Sequence, residues 1–222
     1  MEGLEKAYEA QRVELVSNFE KNKGYFVIKR FIDLLGSIFG IIILSPVMII
    51  TALAIKFECK GRIFFGQERV GQNGQIFKMY KFRSMVENAE ELLQKLKDKN
   101  EMSGPMFKMK DDPRITKVGR LIRRTSIDEL PQLFNVLKGE MSLVGPRPNL
   151  PREVIRFTPH QKQKFIAKPG LTCYWQVMGR SSIDFEEWME LDIKYVEERS
   201  TWLDIKLIFK TVGVLFGDEN AS

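Results

Sequence analysis

An apolar run from Phe31 to Ile55 constrains the fold of this chain more than any other feature of the sequence. It reads FIDLLGSIFGIIILSPVMIITALAI. As a helix, about 25 residues would extend roughly 37 Å, which is long enough to span a bilayer. The run lies too late in the chain for a secretory signal, and no small-residue cleavage site follows it. We therefore expect a membrane segment rather than a buried core helix.

Two features of this run predict that both its ends lie on one face of the membrane. Proline removes a backbone hydrogen bond from a helix, so a kink is expected at Ser45-Pro46, where the serine can satisfy part of the freed backbone. Positive charge at both ends favours a cytoplasmic position for both. The basic residues are Lys21, Lys23, Lys29 and Arg30 before the run and Lys56, Lys60 and Arg62 after it. We predict a re-entrant membrane helix, broken at Ser45-Pro46, over residues 25–57, with a simple span as the alternative.

The rest of the chain has the composition of a soluble basic protein, with a polar lead-in at residues 1–24 and a cytoplasmic domain at residues 58–222. The formal net charge of +6 suits nucleic acid, anionic lipid or phosphorylated small molecules as partners. A single histidine, His160, excludes a zinc site built from several histidines. Two unclustered cysteines are typical of a reducing compartment. Catalysis should therefore depend on carboxylates, lysine, arginine and an oxygen-preferring metal.

Local patterns predict an α+β fold that is mostly helical. Short β-like pieces at residues 62–65 and 75–80 flank the turn signal Gly71-Gln72-Asn73-Gly74, which predicts a small β-hairpin. A further strand is expected at residues 171–177, and helices at residues 87–99, 128–137, 151–166, 185–199 and 202–216. The last helix has an apolar stripe edged by tryptophan and lysine, so it either lies as an amphipathic helix in the bilayer interface or packs on the domain core.

The adjacent carboxylates Asp128 and Glu129 have two explanations. As structure, Ser126-x-x-Glu129 fits a capping box, and Pro131 suits the first turn of a helix if Asp128 is the cap. As chemistry, a helix N-terminus ringed by cations suits phosphate, and a carboxylate there can hold Mg²⁺ or attack phosphorus. The cations are Arg114, Lys117, Arg120, Arg123 and Arg124 upstream, and Arg147 in the rigid loop Gly145-Pro146-Arg147-Pro148.

The sequence also carries a series of longer motifs in a fixed order. They are Lys81-Phe82-Arg83-Ser84-Met85, Asp112-Pro113-Arg114-Ile115-Thr116, the stretch from Arg123 to Leu133, the stretch from Asn135 to Pro148, Lys168-Pro169-Gly170, and Gln176-Val177 with Gly179-Arg180. Together they resemble the bacterial sugar transferase family, whose members are polyprenyl-phosphate sugar-1-phosphate transferases (monotopic phosphoglycosyl transferases). The resemblance extends from about Lys29 to the end of the chain.

This resemblance implies an enzyme that moves a sugar 1-phosphate from a UDP-sugar to undecaprenyl (polyprenyl) phosphate, releases UMP, and initiates exopolysaccharide or capsule assembly. It implies Mg²⁺ dependence and a phosphosugar carried on Asp128, with Glu129 as its partner and both as metal ligands. Phosphate or substrate contacts are implied for Lys81, Arg83, Arg114, Arg123, Pro146, Arg147 and Pro148. The break at Ser45-Pro46 also matches the family. Residues 58–222 would be the catalytic domain, on the cytoplasmic face of the bacterial inner membrane.

Other classes of function fit the sequence less well. A nucleic-acid-binding module should interleave aromatic and basic residues, but residues 114–124 contain no aromatic, so no nucleic-acid partner is expected. A non-catalytic basic membrane scaffold gives no reason for Asp128-Glu129. A glycosidase needs carboxylates across a sugar ring, which adjacent residues rarely provide. Residues 101–110 resemble relatives that act on simple hexoses, which favours glucose or galactose. The sequence leaves open whether the protein forms a homo-oligomer and whether the chain is part of a longer form.

Overall fold

The computed structural model describes residues 23–59, 61–96, 107, 109, 111–179 and 183–217. The helices are α1 (Lys23–Glu58), α2 (Ala89–Leu96), α3 (Lys117–Arg124), α4 (Gln132–Lys138), α5 (Pro151–Val154), α6 (Pro159–Lys162), α7 (Tyr174–Met178), α8 (Phe185–Glu198) and α9 (Thr201–Gly217). The strands are β1 (Phe64–Val70), β2 (Ile76–Phe82), β3 (Ser142–Val144) and β4 (Gly170–Thr172). The predicted mostly helical fold with a small β-hairpin is confirmed. Nearly all of the lead-in at residues 1–24 and of the segment 101–110 lies outside the described residues.

Helix α1 remains continuous through the proline in its middle. Pro46 has no N–H to donate to the carbonyl of Ile42, four residues earlier. The hydroxyl of Ser45 donates to that same carbonyl at 2.8 Å and so replaces the missing partner. The break between two helices that the sequence predicts is therefore not seen, and a reversal of the helix within the bilayer stays a prediction.

One face of α1 packs against the rest of the protein in both halves of the helix, with no buried residue between Ser37 and Met48. Its buried residues recur mostly at helical spacing and are Tyr25, Asp33, Ser37, Met48, Thr51 and Ile55. The opposite face is apolar but exposed, as at Val27, Phe39 and Ile50, where 67–70% of each residue is accessible. Among the described residues, α1 is the one helix long and apolar enough to cross a membrane.

The two ends of α1 contact different elements of the same domain. In the first half, Gly36 lies against Leu143, and the Leu143 side chain would have to shift to admit a Cβ, which would lie 2.5 Å from its Cδ1. In the second half, Met48 and Ile55 share a core cluster with residues of β2 and α3. At its end, the carboxylate of Glu58 accepts from the first backbone N–H groups of α3, at 2.8 and 3.0 Å. The membrane-type helix and the domain thus form one packed unit.

The β-hairpin is confirmed, with strands that extend further than expected. Strands β1 and β2 pair antiparallel in a register that runs from Phe64↔Phe82 to Val70↔Ile76. The connection contains two residues with positive φ, Asn73 (54°) and Gly74 (80°), which tolerate the left-handed conformation. This pairing places the end of β2 beside the turn that follows α3.

The strand predicted at residues 171–177 is wrong beyond Thr172. Strand β4 pairs in parallel with β3 at only two positions, Ser142↔Gly170 and Val144↔Thr172. The carbonyl of Thr172 accepts from the backbone of Gly145 at 2.9 Å, and the chain then enters α7. The ladder ends there because β3 itself ends at Val144 and leads into a proline-rich loop.

Helix α8 connects two apolar clusters of the domain. Trp188 and Met189 lie in one cluster, with Phe157 and Phe165. The other cluster contains residues from the C-terminal half of α8, from β3 and from α9. Helix α9 buries Leu207 in that cluster but leaves Trp202 (76%) and Phe209 (72%) exposed. It therefore packs on the core with one side, and a position of its other side in the bilayer interface stays a prediction.

Candidate functional site

Asp128 and Glu129 lie on a short 3₁₀ turn, Ile127–Glu129, between α3 and α4. Neither capping explanation is confirmed. Ser126 adopts a left-handed conformation (φ 56°) and makes no side-chain capping bond, and the residue that caps α4 is Pro131. The two carboxylates therefore do not cap α4.

The two carboxylates are held close to a lysine and an arginine from distant parts of the chain. Lys81 Nζ, at the end of β2, lies 2.7 Å from Glu129 Oε1 and 3.9 Å from Asp128 Oδ2. Arg147 Nη1 lies 3.2 Å from the same Glu129 oxygen. The Asp128 side chain is only 9% exposed, whereas those of Glu129 and Arg147 are 23% and 29% exposed. Asp128 is thus the more buried of the two carboxylates, and Glu129 and Arg147 are partly accessible to solvent.

This arrangement separates the pKa values of the two acids. Burial raises the pKa of Asp128 above its ordinary value, and the neighbouring charge of Glu129 adds to the effect, while Lys81 opposes it. Burial alone would also raise the pKa of Glu129, but Lys81 and Arg147 outweigh it and hold that pKa below the ordinary range. The ionised form of Glu129, which is paired with the cations, is therefore favoured. The ionised form of Asp128 is the less stabilised of the two.

The loop that carries Arg147 is fixed by backbone contacts on both sides. The Pro146 carbonyl accepts from Gly170 N at 3.1 Å, and the Pro148 carbonyl accepts from Arg69 at 3.1 Å. These bonds hold the loop in place, and a substrate contact by Pro146 or Pro148 stays a prediction. The Arg147 guanidinium lies 5.3 Å from the centre of the Trp175 ring, which supports its planar face. Sequence reasoning did not single out Trp175, because nothing local connects it to Arg147.

A buried ion pair lies under the same loop and was also missed. Lys164 Nζ contacts the carboxylate of Asp192, and the two side chains are 1% and 0% exposed. Lys164 also donates at 2.8 Å to Asn149 Oδ1, which follows the proline loop. The Arg147 backbone N–H opposes the burial that raises the pKa of Asp192. The pair is 28 residues apart in sequence, and no periodicity or motif marks it.

The other predicted phosphate contacts do not all reach the dyad. Arg123 lies exposed at the end of α3, and its charge lowers the pKa of Asp128, so it belongs to the site's field. Arg83 pairs instead with Glu87 at 3.2 Å. Arg114 is buried, and its guanidinium donates to Asp112 and to a carbonyl of α2. A substrate contact by Arg83 or Arg114 stays a prediction that these pairings do not support.

The donor set at the dyad fits Mg²⁺ only with help from a substrate. Among the residues that the structure describes, no three or more His, Cys, Asp or Glu side chains are grouped so that they could hold a metal ion by themselves. Magnesium needs no such cage, since it is commonly held by one or two carboxylates, water and substrate phosphates. Asp128 and Glu129 are two carboxylates of the kind that such a site uses, and Mg²⁺ binding stays a prediction.

The fold and the site define a carboxylate-bearing, cation-lined domain that is packed along a membrane-length apolar helix. The chain belongs to the bacterial sugar transferase family, whose family model matches residues 24–218. The resemblance noted in the sequence motifs is thereby confirmed.

Curated relatives are similar over most of this chain. A galactosyl transferase, CpsE, from Streptococcus agalactiae is 48% identical over 193 residues, which are 86% of this chain and 43% of that protein. An undecaprenyl-phosphate galactose phosphotransferase from Salmonella typhimurium is 42% identical over 97% of this chain and 46% of its own length. The exopolysaccharide production protein ExoY from Sinorhizobium fredii is 39% identical over 83% of both chains. The chain thus spans less than half the length of the first two relatives.

Proposed function

We propose that this protein transfers a sugar 1-phosphate from a UDP-sugar to undecaprenyl phosphate, and so initiates assembly of an exopolysaccharide or capsule. The observation that carries the proposal is the pair Asp128 and Glu129, in which Lys81 and Arg147 bind Glu129 directly, while the more buried Asp128 lies 3.9 Å from Lys81. Similarity to an undecaprenyl-phosphate galactose phosphotransferase and to ExoY supports the choice of substrates and pathway.

In the proposed reaction, an ionised Asp128 oxygen attacks the phosphorus that bears the sugar. A bond forms between that oxygen and phosphorus, the bond to the bridging oxygen breaks, and UMP leaves with the electron pair. An oxygen of undecaprenyl phosphate then attacks the same phosphorus and expels Asp128, which regains its negative charge. Each step exchanges one P–O bond for another, so no oxidant or reductant is needed.

Arg147, Lys81 and Arg123 supply positive charge around the phosphorus. Their charges reduce the repulsion between a carboxylate and a diphosphate, which otherwise opposes the attack. Because Lys81 and Arg147 are held by Glu129, they are positioned before a substrate binds. Asp128 and Glu129 are the residues that would hold Mg²⁺, which would supply further charge neutralisation for the diphosphate.

The contacts of α1 support a re-entrant position in the membrane. Near its start, Lys29 Nζ lies 2.8 Å from Asp204 Oδ2, and at its end Glu58 contacts the backbone of α3. A helix that crossed the bilayer would place these two polar contacts on opposite faces, although both are made with one folded domain. A re-entrant α1, with the site on the cytoplasmic face, satisfies both contacts and leaves its exposed apolar side for lipid.

Galactose is the sugar best supported. Both the streptococcal and the Salmonella relatives carry galactose in their names, and this agrees with the sequence-based choice between glucose and galactose. A relative from Aeromonas hydrophila is named for N-acetylgalactosamine, so the sugar varies within the family. Release of UMP from a panel of UDP-sugars, with undecaprenyl phosphate present, will identify the donor.

The decisive test compares Asp128→Asn with Asp111→Asn, an exposed aspartate outside the site. Each variant is purified in membranes and incubated with UDP-galactose labelled in the β-phosphate. We expect wild type and Asp111→Asn to transfer label to undecaprenyl phosphate and, without acceptor, to retain it on the protein. Asp128→Asn should do neither. Transfer by Asp128→Asn near the wild-type rate would exclude Asp128 as the nucleophile. If none of the three proteins transfers label from any UDP-sugar, a non-catalytic scaffold is favoured.

The position of α1 has its own test. Two single-cysteine variants are needed: one keeps only the native Cys59, directly after Glu58, and the other has both native cysteines replaced by serine and one cysteine placed before Lys23. Each can be labelled in intact and in opened spheroplasts with a membrane-impermeant maleimide. A re-entrant helix predicts labelling of both positions only after opening. Labelling of one position in intact spheroplasts would establish a simple span.

A further inference from the structure

The ion pair of Lys164 and Asp192 lies under the loop that carries Arg147, and both of its side chains are buried almost completely. Stability alone does not explain such a pair. Removing two charges from water costs about as much free energy as their attraction returns, so an apolar pair of similar size is often equally stable or more stable. Buried polar groups with satisfied hydrogen bonds do, however, hold their partners in one arrangement. The partners of this pair therefore indicate what it does.

Lys164 connects the ion pair to the backbone near Arg147. Its Nζ donates to Asn149 Oδ1 at 2.8 Å, and Asn149 lies two residues after the arginine. Asn149 is itself buried, and its carbonyl accepts from the Val70 backbone N–H at 2.9 Å. The loop is therefore held at Asn149 by the lysine on one side and by strand β1 on the other.

Asp192 approaches the same loop at Arg147 itself. The Arg147 backbone N–H lies close enough to this carboxylate to stabilise its ionised form, and so opposes the burial that raises the pKa of Asp192. The charges of Lys164 and Arg147 act in the same direction as this N–H. One buried carboxylate thus interacts both with the lysine and with the arginine whose guanidinium contacts Glu129.

Two aromatic rings connect the ion pair to the guanidinium end of Arg147. Trp188 lies one helical turn before Asp192 on α8, and the Lys164 ammonium lies 5.2 Å from the centre of the Trp188 ring. The centres of the Trp188 and Trp175 rings are 4.9 Å apart. The Arg147 guanidinium in turn lies 5.3 Å from the centre of the Trp175 ring. A continuous series of contacts therefore runs from the lysine through two indole rings to the arginine.

We propose that Lys164 and Asp192 position Arg147 for its contact with the diphosphate of the UDP-sugar. This role rests on the proposed transferase function, and it acts through Arg147 without contact between the ion pair and the substrate. The ion pair holds the loop at Arg147 and Asn149 and supports the rings beside the guanidinium. Arg147 then lies 3.2 Å from Glu129 with its planar group already oriented, which reduces the ordering that substrate binding must bring about.

The test uses a variant that keeps the fold but lacks the directed bonds. Lys164→Met/Asp192→Leu replaces the pair by apolar side chains of similar size, so we expect it to unfold at a temperature close to that of wild type. Its kcat/KM for the UDP-sugar should nevertheless fall about tenfold, because the loop is no longer held in place. Lys194→Met/Glu198→Leu makes the same replacement in an exposed ion pair of α8, and it should keep the wild-type kcat/KM.

The same change in an Arg147→Gln background distinguishes positioning from a general structural effect. If the ion pair acts through Arg147, its loss should lower kcat/KM little further once the guanidinium is absent. The combined loss should then be much smaller than the product of the two separate losses. Asn149→Ala, which keeps the ion pair but removes an acceptor of Lys164, should show the same coupling and serves if Lys164→Met/Asp192→Leu does not fold.

Two results would overturn the positioning role alone: a wild-type kcat/KM in Lys164→Met/Asp192→Leu, or losses that multiply fully with that of Arg147→Gln. Absence of transfer by wild type with every UDP-sugar would instead overturn the proposed function, and with it the reaction for which Arg147 is positioned.

Discussion

Lys81 Nζ lies 2.7 Å from Glu129 Oε1, and this contact joins the end of β2 to the turn that carries Asp128. The lysine is 48 residues from the glutamate in sequence and reaches it through the hairpin. Because Lys81 also lies 3.9 Å from Asp128, a single ammonium group affects both carboxylates. It stabilises the charge of Glu129 most and that of Asp128 less.

The pH dependence of transfer should follow the charge at Asp128. Asp128 must be ionised to attack, and its pKa is raised, so kcat/KM should fall as the pH decreases through that pKa. Lys81→Gln removes a charge that lowers the pKa of Asp128, so the acid limb should move to higher pH. Glu129→Gln removes a charge that raises it, so the limb should move to lower pH.

Measurement of kcat/KM between pH 5 and pH 9 will check both shifts, with Lys78→Gln as the control. Lys78 is an exposed neighbour on the same strand, and its loss should leave the profile in place. Shifts in the same direction for the Lys81 and Glu129 variants would contradict the assignment of Asp128 as the titrating group.

Arg147→Lys tests the geometry of the cation as distinct from its charge. Lysine cannot present the planar guanidinium to Trp175 and contact Glu129 at the same time. We expect kcat/KM for the UDP-sugar to fall by about tenfold or more. Arg152→Lys, a change at an exposed position of α5, should keep the wild-type value. If kcat/KM is unchanged in Arg147→Lys, a positive charge at this position is sufficient for transfer and the guanidinium geometry is not needed.

Asp192→Asn should destabilise the domain, because Lys164 would then be buried without its counter-charge. Removing one partner of a buried ion pair lowers the free energy of unfolding by about 3–5 kcal/mol. Thermal unfolding in detergent measures the loss, and Glu198→Gln, which breaks an exposed pair with Lys194, serves as control. The double variant Lys164→Met/Asp192→Leu should recover much of the stability. If the double variant recovers no stability, the unpaired charge of Lys164 is not the cause of the loss in Asp192→Asn.

Gly170→Ala should separate the two short parallel strands. A Cβ at this position would lie 2.1 Å from the Gly145 nitrogen, which is backbone and cannot move independently. We expect a loss of about 2 kcal/mol in stability, as for overpacking, together with reduced transfer because the Arg147 loop begins at Gly145. Gly213→Ala, in α9 with open space around the new methyl group, should be neutral or slightly stabilising. Equal stability of the two variants would refute the close approach.

Local sequence patterns predicted the elements that are stabilised locally. The hairpin followed from its turn residues Gly71 to Gly74, and α8 followed from its apolar spacing. The capping interpretation of Ser126 was wrong because the backbone there turns left-handed, which depends on how α3 and α4 pack rather than on the four residues themselves. The strand beyond Thr172 was wrong because its partner, β3, ends first.

The sequence alone determined that the chain has a membrane-length helix, since the hydropathy of Phe31 to Ile55 is a local property. It also determined the family, because the order of the motifs is read without a structure. Only the tertiary structure decided which cations reach the carboxylates. Arg114 belongs to one of the sequence motifs but pairs with Asp112, two residues away. Lys81 and Arg147, in contrast, are brought to Glu129 by the hairpin and the proline loop. Electrostatic interactions depend on distance in space, and that distance is set by the packing of α4 and the strands around the site.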